Sequence, residues 1–428
     1  MNSSPPDKSS STSRLPESMR SLRHRNFRVY FVGQAVSILG SWVQQVAMAW
    51  LVYRLTNSSE LLGVTAFCAL APQLFVGPLA GAWIDRHDKR RLLIGVEVLL
   101  TIQATILALL TWLGWVTPLL LVALALLLGV LNSVEAPLRQ SLLSKMVGSR
   151  EDLGNAVALN ASLFNSGRFV GPPIAGLLVG LTSEAFCFLL NAVSFGALIL
   201  SLIRLDIAPT AKVAGGVGQV FKEGVRYAFE TFPIRMVIIA LACLNFTASA
   251  YAVLLPVFAR EIFSGDARTL GLLWGAAGCG AFASTLYLAT CHGPVQTIRA
   301  VLSGLVISAV SLAVFSWATH LLPALLSMAA LGFGISVTNV GANAVLQNLS
   351  PEHLRGRIIS FFTGTRFGFD AFGGLIAGLA AAHFSAPHTL AVESVLLTIA
   401  TLWILVDRRA LLDAVSHADK AHGKVSAK

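Results

Sequence analysis

The chain contains twelve apolar runs, each long enough to cross a lipid bilayer as a helix. They are centred near residues 41, 73, 102, 128, 166, 192, 248, 280, 308, 334, 369 and 397. A spanning helix needs about 20 apolar residues, and it satisfies its own backbone hydrogen bonds, as hydrocarbon requires. Only 12% of the residues are charged, against about 25% in soluble domains. We therefore predict an all-α, polytopic membrane protein with twelve transmembrane helices.

Basic residues lie almost entirely on one predicted side of the membrane. With the N-terminus placed inside, the inner segments hold 26 of the 31 Lys and Arg residues, the outer loops hold three and the spans hold two. This asymmetry follows the positive-inside rule and predicts that both termini are cytoplasmic. The net charge of +10 therefore concerns membrane insertion and anionic lipids, and we expect no nucleic-acid partner.

The longest polar interruption, near residues 204–235, divides the runs into two sets of six. It includes the amphipathic stretch Phe221–Phe229, which is suited to lie on a membrane surface. Residues 152–176 resemble residues 353–378 at an offset of 201 to 202, which duplicated halves would explain; chance similarity of glycine- and alanine-rich helices is the alternative. The predicted segments are a disordered cytoplasmic tail (1–26), a first six-helix half (27–204), a cytoplasmic linker with an amphipathic helix (205–235), a second six-helix half (236–408) and a cytoplasmic tail (409–428).

Residue types that carry enzyme chemistry are scattered along the chain. The histidines near the spans lie at their ends without ligand spacing, the five cysteines form no C-x-x-C pair, and no G-x-x-x-x-G-K-[ST] motif occurs. We therefore predict a protein that is not an enzyme and that holds no metal or cofactor.

Polar residues recur at helical spacing in equivalent spans of the two halves, which are spans one and four and spans seven and ten. Such stripes either line a polar cavity or join helices by hydrogen bonds. Because they occupy equivalent helices, we favour cavity lining. With Arg139 at the inner end of span four and the two arginines inside the spans, the predicted cavity set is Gln34, Ser37, Ser41, Asn132, Arg139, Arg168, Asn245, Asn339, Asn343 and Arg366.

Carboxyl groups inside the membrane are candidates for proton coupling, because an ionised side chain there costs about 2.5–3.5 kcal/mol and is usually functional. Glu135 is the first candidate, since a carboxyl group that faces a cavity can bind and release a proton. Arg139, one turn away, could instead hold Glu135 in its charged form. Asp370 and Glu97 are the next candidates, and Asp370 could equally form a structural ion pair with Arg366.

A short basic loop and a small-residue segment complete the pattern. The loop G-A-W-I-D-R-H-D-K-R-R lies between spans two and three, and its predicted inner-gate residues are Gly81, Asp85, Arg86, Arg90 and Arg91. Asp85 could face the positive N-terminal end of a helix and latch the inner side closed; the alternative is that the loop only sets orientation. In span five, the predicted helix-packing residues are Gly167, Gly171, Pro172 and Gly176.

These two motifs resemble the signature loop and the span-five segment of exporters in the major facilitator superfamily, although Asp88 stands where the family usually has glycine. With R-N-F-R (Arg25–Arg28) and L-L-P-V-F-A-R-E (Leu254–Glu261), they are similar to the drug:proton antiporter branch that includes the enterobactin exporter and macrolide efflux proteins. The resemblance implies a monomeric secondary transporter that exports an amphipathic small molecule, such as a siderophore or drug, across a bacterial inner membrane by proton antiport. A lipid or lysolipid flippase and a proton-coupled importer are the alternatives on the same fold.

Overall fold

The computed structural model describes residues 17–76, 84, 87–147, 150–206 and 226–426. The first six long helices are α1 (Arg25–Thr56), α2 (Ser59–Leu70), α3 (Lys89–Trp112), α4 (Pro118–Leu143), α5 (Arg150–Leu181) and α6 (Glu184–Ile203). The next six are α7 (Phe232–Val257), α8 (Ala267–Ala289), α9 (Pro294–Ser316), α10 (Leu321–Leu349), α11 (Glu352–Phe384) and α12 (Ala386–Val406). The predicted all-α, twelve-helix membrane fold is confirmed.

Eleven of the described helices are long and apolar enough to cross a membrane, α2 with an extension to Val76 and α7 with an extension to Ile262. The other long helix, α5, has 32 residues and includes Arg168 and three asparagines. Because successive helices alternate in direction, both chain ends lie on one side of the bundle. We call this the terminal side, and the opposite side the far side.

Side-chain caps fix several helix starts on the far side. A helix begins with backbone N–H groups that have no partner within the helix, and a serine, threonine or aspartate just before it can accept from them. These caps bond to N–H groups two or three residues ahead. They are Ser58 for α2, Thr117 for α4, Ser183 for α6 and Asp266 for α8.

Each set of six helices packs as its own bundle. In the first half α1 packs against α5 and α6, and α3 packs against α4 and α6; in the second half α10 packs against α8 and α9, and α7 packs against α11 and α12. The two halves meet chiefly where α5 packs against α8 and where α2 packs against α11. The helices of the first half therefore extend over residues 25–203, and those of the second half over residues 232–406.

The two halves cross at two places, both on the far side, and at each place a glycine allows the helices to approach closely. At the α5–α8 crossing, a Cβ atom on Gly176 would lie 2.5 Å from the Ala267 carbonyl oxygen and 2.9 Å from the Gly271 Cα. At the α2–α11 crossing, a Cβ atom on Gly378 would lie 2.6 Å from the Ser59 carbonyl oxygen. Gly176 and Gly378 are equivalent positions in the sequence repeat, so the two halves use the same residue for the same contact.

Part of the predicted N-terminal tail is helical and packs against the bundle. Glu17–Arg23 form a short 3-10 segment, and Asp152 of α5 accepts from Arg20 at 3.2 Å and contacts His24 at 2.8 Å. The Ser21 hydroxyl donates to the Asp152 carbonyl oxygen at 2.7 Å. These contacts anchor residues 20–24 to α5, so this part of the predicted tail is structured.

The C-terminal tail also contains more structure than the sequence predicts. Arg408–Ser426 form a thirteenth helix, α13, which packs against α7 and α9. Its Leu411 and Val415 side chains are buried, because one face of this amphipathic helix lies on the second half. In the predicted linker, residues 226–230 are helical, and residues 207–225 lie outside the described part of the chain.

Candidate functional site

A cluster of polar side chains lies inside the first half, between α1, α3 and α4. We call it the acidic cluster, and it consists of Tyr30, Glu97, Glu135 and Arg139. Arg139 Nη1 lies 2.7 Å from Glu135 Oε1, and both side chains are largely buried. The Arg139 guanidinium also lies over the Phe164 ring, 4.8 Å from its centroid. The structure thus pairs Glu135 with Arg139, the alternative that the sequence left open.

Glu97 of α3 has no such partner. Its side chain is 0% exposed, and neither carboxyl oxygen has a hydrogen-bond partner among the described residues. Glu135 and Arg139 are its charged neighbours. If both carboxyl groups are ionised, two negative charges face one positive charge, and one negative charge is left in a buried site.

A single proton removes this imbalance. A buried ionised carboxylate without partners is far more costly than a neutral carboxyl group. A protonated Glu97 could also donate a hydrogen bond to an acceptor in the cluster, whereas two ionised carboxylates repel each other. The geometry therefore makes Glu97 the group of this cluster best placed to bind and release a proton.

A second cluster of charged and polar side chains connects the two halves near the middle of the bundle. We call it the central site, and it consists of Arg168 of α5, Tyr251 of α7, and Arg366 and Asp370 of α11. Arg168 Nη2 donates to the Tyr251 hydroxyl at 3.5 Å. Arg168 lies close enough to Arg366 and Asp370 for its charge to act on both. The site has two positive groups and one negative group.

Arg366 and Asp370 do not form a close ion pair, which was one of the roles that the sequence suggested for them. Among the described residues, no nitrogen–oxygen contact within 4.0 Å joins these two side chains. The Arg366 guanidinium instead lies over the Phe367 ring, 5.3 Å from its centroid. Its Nε atom is buried without a hydrogen-bond partner.

Aromatic side chains from both halves adjoin the central site. Trp42 of α1 and Trp274 of α8 meet edge to face, with ring centroids 6.0 Å apart. Tyr251 lies 6.2 Å from Trp274, centroid to centroid. Gly171 of α5 leaves room for Trp42, because a Cβ atom there would lie 2.5 Å from the Trp42 Cβ. The predicted span-five residues Gly167 and Gly171 therefore pack against α1, while Pro172 and Gly176 face Gly271 of α8.

Most of the predicted stripe residues lie between helices in this conformation. Asn245 of α7 and Asn339 of α10 are buried and bond to each other, with donor–acceptor distances of 3.3 and 3.4 Å. Gln34 and Ser37 of α1 are buried, and the Gln34 amide has no partner among the described residues. For Asn245 and Asn339 the geometry favours the alternative in which polar residues join helices by hydrogen bonds.

The other stripe residues are more accessible. Asn132 and Asn343 are half-buried and Ser41 is exposed. Asn343 accepts from the Gln347 amide at 3.2 Å, and the Ser41 hydroxyl donates to the Ser37 carbonyl oxygen at 2.9 Å. These positions remain cavity candidates.

The described part of the signature loop stabilises helix ends. Arg90 donates to the carbonyl oxygens of Leu202 at 2.8 Å and of Ile203 at 2.6 Å, so it satisfies the C-terminal end of α6, where positive charge is favourable. Asp88 caps α3 by accepting from the Arg91 N–H at 3.0 Å. Its φ of −69° suits any L-residue, which explains why glycine is not needed there. Arg91 is exposed, and Gly81, Asp85 and Arg86 lie outside the described residues.

The structure contains two features that the sequence analysis did not identify. Glu393 of α12 is buried, and its Oε2 atom has no partner among the described residues; its position inside the twelfth apolar run was the available signal. On the far side, the Tyr53 hydroxyl of α1 donates to the Glu261 carboxylate just after α7. No sequence pattern indicates this contact, because it depends on how the halves meet.

A family model described as transmembrane secretion effector matches residues 17–425. The chain is 28% identical to the staphyloferrin A transporter of Staphylococcus aureus over 61% of this chain and 66% of that protein. It is 24% identical to the multidrug efflux pump Tap of Mycolicibacterium fortuitum over 88% of this chain and 94% of that protein. It is 23% identical to macrolide efflux protein A of Streptococcus pyogenes over 36% of this chain and 37% of that protein.

A solved structure shows the same fold. The crystal structure of the nucleoside transporter NupG superposes with a TM-score of 0.71, covering 89% of this chain and 98% of that chain at 12% sequence identity. The two proteins therefore share an arrangement of helices.

Proposed function

The chain belongs to the transmembrane secretion effector family of the major facilitator superfamily, and we propose that it exports an amphipathic small molecule, siderophore-like or drug-like, by proton antiport with alternating access. The names of its relatives support this proposal, since they include a siderophore transporter, a multidrug efflux pump and a macrolide efflux protein. In this proposal the protein is a transporter that works as a monomer. Its partners are protons, the small molecule and membrane lipids.

The observation that carries proton coupling is the unpaired Glu97 in the acidic cluster. One proton neutralises the cluster, and the cost of the buried charge differs between a closed and an open arrangement of the first half. A proton gradient can bias the conformational equilibrium only through such a difference in affinity between two states. Glu135 takes part by holding Arg139, and Asp370 of the central site is the remaining candidate.

The contacts between the halves support an inward-open conformation. Hydrogen bonds, aromatic pairs and glycine crossings join the halves from the middle of the bundle to the far side, for example Tyr53 with Glu261 and Phe67 with Phe372. We assign the terminal side to the cytoplasm and the protein to the bacterial inner membrane. In the opposite state, the Asp85 loop would latch the terminal side.

Reporter fusions test this orientation. Alkaline phosphatase is active only outside the cytoplasm, so a fusion that ends at Ala267, at the far-side start of α8, is expected to be active. A fusion that ends at Ala214, in the linker, is expected to be inactive. The reverse pattern at either residue would contradict the assignment, which rests on the positive-inside rule.

Transport in inside-out vesicles tests the function. With protons driven into the vesicle lumen, vesicles that contain the protein are expected to accumulate a fluorescent amphiphile above the level reached in matched vesicles without it, which measure the passive pH-driven distribution of the amine. The panel consists of ethidium and three pyrene derivatives: 1-pyrenebutyrate, its amide and 1-pyrenemethylamine. Nigericin, which dissipates the pH gradient, is expected to abolish this accumulation.

Three other outcomes would contradict the proposal. Protein-dependent accumulation that nigericin does not change would remove proton coupling. Protein-dependent movement of the probes out of inside-out vesicles, driven by the same gradient, would indicate an importer. Movement of a labelled lysolipid between leaflets without probe transport would indicate a flippase.

A further inference from the structure

The central site has more positive than negative charge at membrane depth. Arg168 comes from the first half, Arg366 from the second half, and Asp370 is the carboxylate whose charge acts on Arg366. An arginine keeps its charge in proteins. The site therefore has one surplus positive charge when Asp370 is ionised, and at least that surplus in any protonation state.

The arginine donors of the site are not satisfied by the protein. Arg366 Nε is buried without a partner, and the one hydrogen bond that Arg168 makes is long, 3.5 Å to the Tyr251 hydroxyl. No ion pair within 4.0 Å joins Asp370 to either arginine among the described residues. A guanidinium group offers five N–H donors in a plane that fits a carboxylate, sulfonate or phosphate. Unused guanidinium donors of this kind fit a bound ligand that carries an anionic group.

A cluster of aromatic rings lies beside these donors, in which Tyr251 and Trp274 are buried and Trp42 is half-buried. Tyr251, which bonds to Arg168, is also in ring contact with Trp274, and Trp274 is in contact with Trp42. The Trp274 Nε1 atom is buried without a partner among the described residues, so this cluster contains one further unused donor. Ligand sites commonly combine aromatic walls with a few placed polar groups. The combination fits a molecule with a flat apolar body and an acidic group.

We propose that the central site selects an anionic group on the exported molecule, which the guanidinium groups of Arg168 and Arg366 hold between the two halves. The inference rests on the export function proposed above and adds the charge class of the substrate. Because the arginines come from opposite halves, their repulsion opposes approach of α5 and α11 in the empty protein. A bound anion removes that repulsion, and it thereby favours the conformational change only when cargo is present.

Three pyrene probes with the same aromatic body test the charge preference. They are 1-pyrenebutyrate, which is anionic, its neutral amide, and 1-pyrenemethylamine, which is cationic. Binding to the purified full-length protein in lipid nanodiscs is measured by quenching of tryptophan fluorescence, since Trp42 and Trp274 adjoin the site. We expect the anion to bind at least about tenfold more tightly than the amide, because charge-assisted hydrogen bonds are the stronger ones.

Variants separate this site from general partition into lipid. Arg168→Gln and Arg366→Gln are each expected to weaken binding of the anion about tenfold or more while leaving binding of the amide nearly unchanged. Asp370→Asn is expected to strengthen binding of the anion, because it removes a competing negative charge. Arg299→Gln, at an exposed position of α9, is the control and should change neither.

Equal affinity of the wild-type protein for the three probes would overturn the inference, and so would tighter binding of the amine. An Asp370→Asn variant that binds the anion less tightly would also contradict it, even if both arginine variants fail to fold. Export of the amine or of ethidium under a pH gradient, without export of the anion, would leave the proposed function intact and reject the anionic substrate. Loss of gradient-driven export for every probe, together with selective binding of the anion, would reject the function and keep the site.

Discussion

Replacement of Glu97 by glutamine is expected to abolish proton-driven accumulation while the protein still binds its substrate. Glutamine keeps the shape of the side chain but cannot take up or lose a proton, so the acidic cluster stays neutral with Glu135 paired to Arg139. A pH difference of one unit supplies about 1.4 kcal/mol per proton, which is a tenfold accumulation at best for a one-to-one exchange. In Glu97→Gln vesicles this ratio is expected to fall to about one.

The measurement compares nigericin-sensitive accumulation with downhill movement of the same probe in the same vesicles. Glu60→Gln is the matched control, because Glu60 is an exposed carboxylate in the first turn of α2. A Glu97→Gln protein that still accumulates the probe in a nigericin-sensitive way would show that Glu97 is not the coupling group. Glu135→Gln and Asp370→Asn would then decide between the other two candidates.

The helical architecture could be predicted from the sequence because hydrocarbon leaves the chain few alternatives. Runs of about 20 apolar residues must form spanning helices, and α3 and α9 contain the predicted run centres near residues 102 and 308. The repeat of residues 152–176 at 353–378 indicated duplicated halves. Gly176 and Gly378 do make equivalent contacts in the structure.

The partners of the buried polar groups could not be predicted from the sequence. Glu135 and Arg139 are four residues apart on one helix, so their pairing was an available alternative. Glu97 is on a different helix, and its lack of a partner depends on how α3 packs against α4. Asn245 and Asn339 likewise form a hydrogen bond between two helices. Helical periodicity alone cannot predict which residue of another helix will be the partner.

The two charged sites have opposite imbalances. The acidic cluster lacks one positive charge, which a proton supplies, and the central site lacks one negative charge, which an anionic substrate would supply. Each site is therefore less costly to enclose in the membrane when it is loaded. If loading of one site favours the far-side-open state and loading of the other favours the terminal-side-open state, each half-cycle carries one ligand, as exchange requires.

A valine at Gly176 is expected to block transport by holding the far side open. A Cβ atom at this position would lie 2.5 Å from the Ala267 carbonyl oxygen, so α5 and α8 must separate. Overpacking of this kind costs about 1–3 kcal/mol, which shifts an equilibrium by about 5–150-fold. Gly378→Val is expected to act in the same way, because a Cβ atom there would lie 2.7 Å from the Gly63 Cα at the other crossing.

Spin labels on exposed far-side residues of the two halves, Leu181 and Phe384, report the opening directly. The population of long label–label distances is expected to rise in both valine variants, and accumulation of the probe is expected to fall in parallel. Gly196→Val is the control, since a Cβ atom at Gly196 of α6 would meet nothing within 4 Å. Wild-type distances and transport in Gly176→Val would mean that close approach of α5 and α8 is not part of the cycle. An effect of Gly176→Val without one of Gly378→Val would instead show that the two crossings, although equivalent in sequence, close in different steps.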